Sequence, residues 1–152
     1  MKINKKIIKL NLMKKIIVIT GGAGFVGSNL IEFLVKKTNY QIISLDNYSS
    51  GHKKNHIKHQ RVKYFKSDTK NISKTLNLYK KNIVSLFHFG EFSRIYQSFL
   101  EYDKCIRSNL KGSFEVVTFA TKNKIKLIYS ATSSMLGNNG KDENLSPYSW
   151  SK

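Results

Sequence analysis

The chain has 152 residues, 40% of them hydrophobic, with one proline and one cysteine. That length suits one domain with a reasonable core, not two, and the lone Cys105 excludes an internal disulfide and suits a reducing compartment. The formal charge of +18 is nearly all lysine scattered among Asn, Ile, Tyr and Phe, with only Arg61, Arg94 and Arg107 as arginines; it reads as a bias of the whole chain, so neither a specific nucleic-acid partner nor a membrane is expected.

Residues 1–13 form a lysine-rich N-terminal extension, and Met13 is an alternative start. Its apolar segments are interrupted by lysines and are too short to span a bilayer, so no secretory signal is read and the cytoplasm is the expected location. The domain runs over 14–152. An unbroken apolar run, Ile16 to Ile19, meets glycines at Gly21, Gly24 and Gly27 and then changes to helical periodicity at Phe25, Val26, Leu30, Ile31, Leu34 and Val35. Strand, glycine turn and helix in that order predict a phosphate-binding turn. Gly21 permits the tight turn, Gly24 lets backbone touch a pyrophosphate, and Gly27 lets the helix sit close to the strand. Amides at the helix start, at the positive end of its dipole, would hold the phosphates. A second strand, Gln41 to Leu45, ends in Asp46, about twenty residues past the glycines, where a carboxylate can accept from both ribose hydroxyls of an adenine dinucleotide. The same carboxylate repels a 2'-phosphate, so the cofactor expected is NAD.

The segment after Asp46 is polar and turn-forming. His52, His56 and His59 have no nearby acid or cysteine to complete a metal site, so no metal is expected and the segment reads as a solvated loop over the adenosine end. Val62 to Phe65 is a third strand. Asp68 beyond it either hydrogen-bonds the adenine or caps the helical segment beginning at Asn71. Ile83 to Phe89 is apolar enough for a central strand, and its end, Phe89 and Gly90, brings backbone toward the nicotinamide half. Glu101 to Asn123 predicts one long helix with Leu110, Phe114, Val117 and Ala120 on one face, on which Asn109 either contacts the cofactor side or faces water. Ile125 to Ser130 is the fifth strand. Strands alternating with helices predict an α/β fold, a Rossmann-type, doubly wound parallel sheet of about five strands with right-handed crossovers.

Thr132, Ser133 and Ser134 follow the fifth strand, at the carboxyl edge where ligands bind in such sheets. Ser146 and Pro147 open a last helix that puts Tyr148 and Lys152 at i and i+4. An ammonium beside a phenol favours the phenolate, which a tyrosine needs to act as a base.

From Lys14 to Lys152 the chain resembles the N-terminal part of the extended short-chain dehydrogenase/reductase family, the NAD-dependent sugar-nucleotide epimerases and dehydratases. TGGAGFVGS at Thr20 to Ser28 is similar to that family's cofactor loop and includes Phe25 and Val26. Asp46 with Asn47 resembles its ribose site, Asp68 with Thr69 its adenine site, and Asn109 with Gly112 its helix motif; SPYSWSK carries its YxxxK at Tyr148 and Lys152. The resemblance implies Thr132, Tyr148 and Lys152 as catalytic residues, a nucleotide sugar as substrate, and a homodimer of the full-length protein through the long and catalytic helices. Dehydratases of the family carry Asp-Glu directly after the threonine, where this chain has Ser133 and Ser134, so the resemblance implies a 4-epimerase of the UDP-glucose type. Leu136 before Gly137, Ser67 before Asp68, and HFGEFSR at His88 to Arg94 depart from the family pattern. Because the chain stops inside the helix that should carry the base, the expectation is an N-terminal fragment with the substrate domain absent, binding NAD weakly and turning over little or no sugar. A five-residue helix is not expected to hold itself together, since nucleation costs more than one turn returns. The competing readings are a non-catalytic NAD-binding module, a dehydratase or reductase of the same family, and a polyanion-binding protein.

Overall fold

A computed structural model describes residues 15–136, 141 and 145–152; the N-terminal extension, residues 1–13, lies outside them, as does Gly137. Five strands, β1 (Ile16–Thr20), β2 (Gln41–Asp46), β3 (Val62–Lys66), β4 (Ile83–His88) and β5 (Lys126–Tyr129), form one sheet in the order β3-β2-β1-β4-β5. Every pairing is parallel. The direction of winding reverses between β1 and β4, and the crevice at their carboxyl ends is the place where such sheets bind ligands.

The strands are apolar throughout because both faces are covered. Ile16 and Val18 point into a cluster with Ile43, Leu45, Leu86, Ile72 and Val116, whereas Ile17 and Ile19 point the other way, against Ile31 and Leu34. The second group belongs to α1 (Phe25–Lys37), the first to α2 (Ile72–Leu76) and α5 (Ser113–Lys122). Each fully buried side chain of this size contributes about 1.5–3 kcal/mol. The carboxyl end of α1 carries Lys36 and Lys37, which suit its dipole. It is also closed by the Arg61 guanidinium, which donates to the carbonyls of Val35 at 2.5 Å, Tyr40 at 3.3 Å and Thr38.

The helix expected over 101–123 runs unbroken from Tyr102 to Lys122 with one π-helical segment inside it; what is corrected is the face expected to be covered. The structure has α3 (Ile95–Leu100), α4 (Tyr102–Ile106), a π-helical turn (Arg107–Gly112) and then α5. The buried face is Asn109, Gly112, Val116, Phe119 and Ala120, the stripe beside the expected one. Leu110, Phe114 and Val117, expected to lie with Ala120, are exposed at 42%, 67% and 46%. Gly112 is required by close approach, because a Cβ there would stand 2.4 Å from the Thr69 hydroxyl.

The last helix, α6 (Pro147–Ser151), is a single turn, and what holds it is tertiary. Ser146 caps it by accepting from the Ser149 amide at 3.1 Å, the Tyr148 amide donates to Ser98 Oγ at 3.2 Å, and Ser151 Oγ accepts from Asn109 Nδ2 at 3.0 Å. Those bonds supply what a lone turn lacks.

Candidate active site

The turn after β1 is built by exclusion of side chains. Gly21 has φ +72°, and a Cβ on it would lie 2.7 Å from the Phe89 carbonyl carbon, so the ends of β1 and β4 touch through backbone. A Cβ on Gly27 would lie 2.3 Å from the Gly21 oxygen, which is why α1 can start directly against the turn. A Cβ on Gly24 would meet the Gly21 oxygen at 3.2 Å and no other atom within reach, so this stretch of backbone is open toward the groove. The first-turn amides of α1 have no partner within the helix and face the same side as its positive dipole end.

Asp46 ends β2 almost fully buried. Its Oδ2 accepts from the Ala23 amide at 2.9 Å and its Oδ1 from the Tyr48 amide at 2.7 Å, holding Tyr48 at φ 60°. Each carboxylate oxygen keeps acceptor capacity for a ligand hydroxyl. The following loop folds back over the turn, with the His52 amide at 3.0 Å and Asn55 Nδ2 at 2.8 Å both donating to the Ala23 carbonyl. His56 is stacked on Tyr64 with centroids 3.7 Å apart and bonds the Tyr48 hydroxyl at 3.0 Å.

One groove of about 490 Å³ runs along this edge. At one end it is lined by Gly21, Gly24, Phe25, Val26 and Gly27, with Asp46, Asn47 and Thr69 beside them; at the other by Phe89, Gly90, Tyr148 and Lys152. Three predicted residues lie apart. Asp68 caps the short turn over Thr69–Asn71 and not the helix that follows, accepting from the Lys70 amide at 3.0 Å and from Asn47 Nδ2 at 3.2 Å; it lines an adjoining cavity of about 740 Å³. Thr132 Oγ1 bonds Ser134 Oγ at 2.9 Å and accepts from the Ser134 amide at 3.2 Å. Asn109 is 2% exposed, so it does not face water. Its amide clamps the loop after β4 by accepting from the Phe92 amide at 2.7 Å and donating to the Phe92 carbonyl at 3.1 Å.

The sequence reading missed a chain of side chains beneath the Tyr148 end. Thr20 Oγ1 accepts from the amides of Phe89 at 3.1 Å and Gly90 at 3.0 Å, so its own proton goes to His88 Nδ1 at 2.7 Å. His88 Nε2–H then donates to Ser113 Oγ at 3.0 Å, and Ser113 donates to Glu91 Oε1 at 2.5 Å. Tyr129 donates to the same oxygen at 3.1 Å, and Lys152 Nζ pairs with Glu91 Oε2 and donates to the Ser130 carbonyl. Burial lowers the His88 pKa to about 4, against the raising effect of Glu91, so the imidazole is neutral and its 3.9 Å approach to Glu91 is no ion pair. Burial and then the Glu91 charge push the Tyr129 phenol above its ordinary range. The available signal was Glu91 itself, an acid directly after Phe89 and Gly90 in a chain with only nine acids.

Residues 17–152 match the NAD dependent epimerase/dehydratase family. The chain belongs to that family. As a member of this NAD-dependent family it is 30% identical over 134 residues to the UDP-N-acetyl-alpha-D-glucosaminuronate decarboxylase of Bacillus cytotoxicus, covering 82% of this chain and 39% of that protein. It is 28% identical to the UDP-glucose 4-epimerase of Neisseria meningitidis serogroup C, covering 92% of this chain and 45% of the relative. Among solved structures it is similar to the UDP-glucose 4-epimerase of Thermotoga maritima with UDP-glucose, at TM-score 0.79 and 25% identity over 90% of this chain and 47% of that one. The chain thus spans less than half the length of these epimerase/dehydratase relatives. No helix among the described residues is long and apolar enough to cross a membrane.

Proposed function

We propose that this chain is the cofactor-binding part of an NAD-dependent nucleotide-sugar 4-epimerase of the UDP-glucose/UDP-galactose kind. The reading is supported by one groove lined by Gly21 and Asp46 at one end and by Tyr148 and Lys152 at the other. The glycine cradle and the partly occupied Asp46 carboxylate fit a dinucleotide. The α1 amides, Phe25 and Val26 hold the diphosphate, Asp46 and Asn47 the adenosine ribose, and Asp68 with Thr69 flanks the adenine. Phe89, Gly90 and Lys152 hold the nicotinamide half, and Asn109 serves it indirectly by fixing the Phe92 loop. When bound, NAD supplies a reversible hydride acceptor, so oxidation at C4 of the sugar and reduction from the opposite face invert that centre. Tyr148 takes the proton of the 4-hydroxyl, and Thr132 hydrogen-bonds the reacting oxygen.

Epimerisation is preferred to elimination because Ser133 and Ser134 stand after Thr132 and offer no carboxylate to expel water, while Glu91 in the groove is tied to Lys152. The exposed Leu110, Phe114 and Trp150 suit a homodimer contact of the complete enzyme, and the 152 residues by themselves bind NAD and turn over little or no sugar. Calorimetry with NAD on this chain, and assay of the longer reading frame with UDP-glucose and UDP-galactose, test the reading. Heat of binding and interconversion of the two sugars are expected, with Tyr148→Phe slowing turnover by about a hundredfold or more. A 4-keto-6-deoxy product or release of carbon dioxide would overturn it.

A further inference from the structure

The cofactor groove contains a buried ion pair whose cation is one of its own ligating groups. Lys152 and Glu91 have side chains only 5% and 3% exposed. The ammonium gives one N–H to Glu91 and one to the Ser130 carbonyl, and sits 4.7 Å from the Tyr129 ring centroid. That leaves one N–H for a ligand. The carboxylate in turn accepts from Ser113 and Tyr129. The other ionisable groups facing the pair are His88 from β4, Tyr129 from β5 and Tyr148 from α6. His88 is neutral and the Tyr129 phenol keeps its proton, so Glu91 balances the Lys152 charge.

That balance matters for the ligand. The nicotinamide ring is a cation in NAD+ and neutral in NADH, and the charges of a site out of water act on it with little screening. An uncompensated ammonium would repel the oxidised ring and leave the reduced one unaffected. We propose that Glu91 is a positioning residue of the cofactor site, acting through Lys152: it cancels the ammonium's charge and thereby keeps the groove from disfavouring NAD+ against NADH. This rests on the nicotinamide half lying at the Tyr148 and Lys152 end.

The test is the dissociation constant of each cofactor form for this chain, measured by calorimetry alongside the melting temperature. Glu91→Gln keeps an oxygen to accept from Ser113 and Tyr129 and removes the charge. It is expected to raise the ratio Kd(NAD+)/Kd(NADH) on the order of tenfold. Lys152→Met removes the cation and is expected to move the ratio the opposite way, while Glu91→Asp keeps the charge and the original ratio. A purely structural role would weaken both forms together. If Glu91→Gln does not fold, the Lys152→Met and Glu91→Asp ratios decide. No binding of either form by the folded parent overturns the cofactor reading and this inference with it. Binding with an unchanged ratio in Glu91→Gln and Lys152→Met overturns this inference alone.

Discussion

The two ends of the groove are built in opposite ways. The glycine end is one continuous stretch, β1 through β2, in which backbone shape and missing side chains form the surface: Gly21 and Gly27 leave no room for a Cβ, and Asp46 returns to bond the turn it follows. The Tyr148 end is drawn from separate segments, the loop after β4, the π turn, the start of α5, β5 and α6, joined through the side chains of Asn109, Ser113, Glu91 and Lys152. Phosphate recognition by amides needs only local backbone geometry, whereas positioning a lysine beside a tyrosine needs buried polar groups that satisfy one another. The first kind of site tolerates no added atom; the second tolerates no lost partner.

The largest effect is expected where the glycine end is overfilled. Gly27→Ala puts a methyl 2.3 Å from the Gly21 oxygen and 2.7 Å from the Gly22 Cα, and neither backbone atom can move aside. A stability loss of about 3 kcal/mol or more in denaturant titration, with no calorimetric heat from NAD, is expected.

The Tyr148 end is the acid-sensitive one. His88 has its pKa depressed from 6.5 to about 4 by burial, so the unfolded chain takes up a proton before the folded one does. Its contribution is full above about pH 6.5 and is lost as pH falls toward about 4, to the extent of roughly 3 kcal/mol. Denaturant midpoints across that window should fall more steeply for the parent than for His88→Gln.

Loss of a partner should be local. Asn109→Ala strands the Phe92 amide and carbonyl and costs about 2 kcal/mol. Hydrogen exchange should speed at the Phe92 amide and stay unchanged at the Gly21 amide, which is bonded to Leu45; equal acceleration at both would erase the distinction between the ends. The smallest change belongs to neither end: Glu32→Ala removes an exposed i,i+4 pair with Lys36 at 2.6 Å and should shift stability by a few tenths of a kcal/mol at most.

The same contrast explains what could be read in advance. All five strands, the first helix and the glycine turn through Asp46 were legible because each is signalled by neighbours in the chain: runs of β-branched residues, glycine spacing, a helical repeat. The covered face of the helix over 101–123 was misread: Leu110, Phe114, Val117 and Ala120 do repeat helically, but the first three are exposed and the stripe beside them, Asn109, Gly112, Val116 and Phe119, is buried. Periodicity reports that a face is apolar, not that it is covered. Asn109 carried two readings, the cofactor side of the sheet or the wet face, and burial removes the second; the sequence could not show this because its partners, Phe92 and Ser151, are distant in the chain.

What the amino-acid sequence determined by itself was the doubly wound sheet, the place of the turn that suits a diphosphate, and the spacing of Tyr148 and Lys152 one helical turn apart. These follow from propensities and spacings that act over a few residues. Only the tertiary structure decided that Lys152 meets Glu91, that His88 is held neutral between Thr20 and Ser113, and that a one-turn helix at 147–151 is held in place. Each of these depends on polar groups brought together across many residues and withdrawn from water, where an unpaired group is costly and a paired one is fixed. No local pattern records which distant partner will be there.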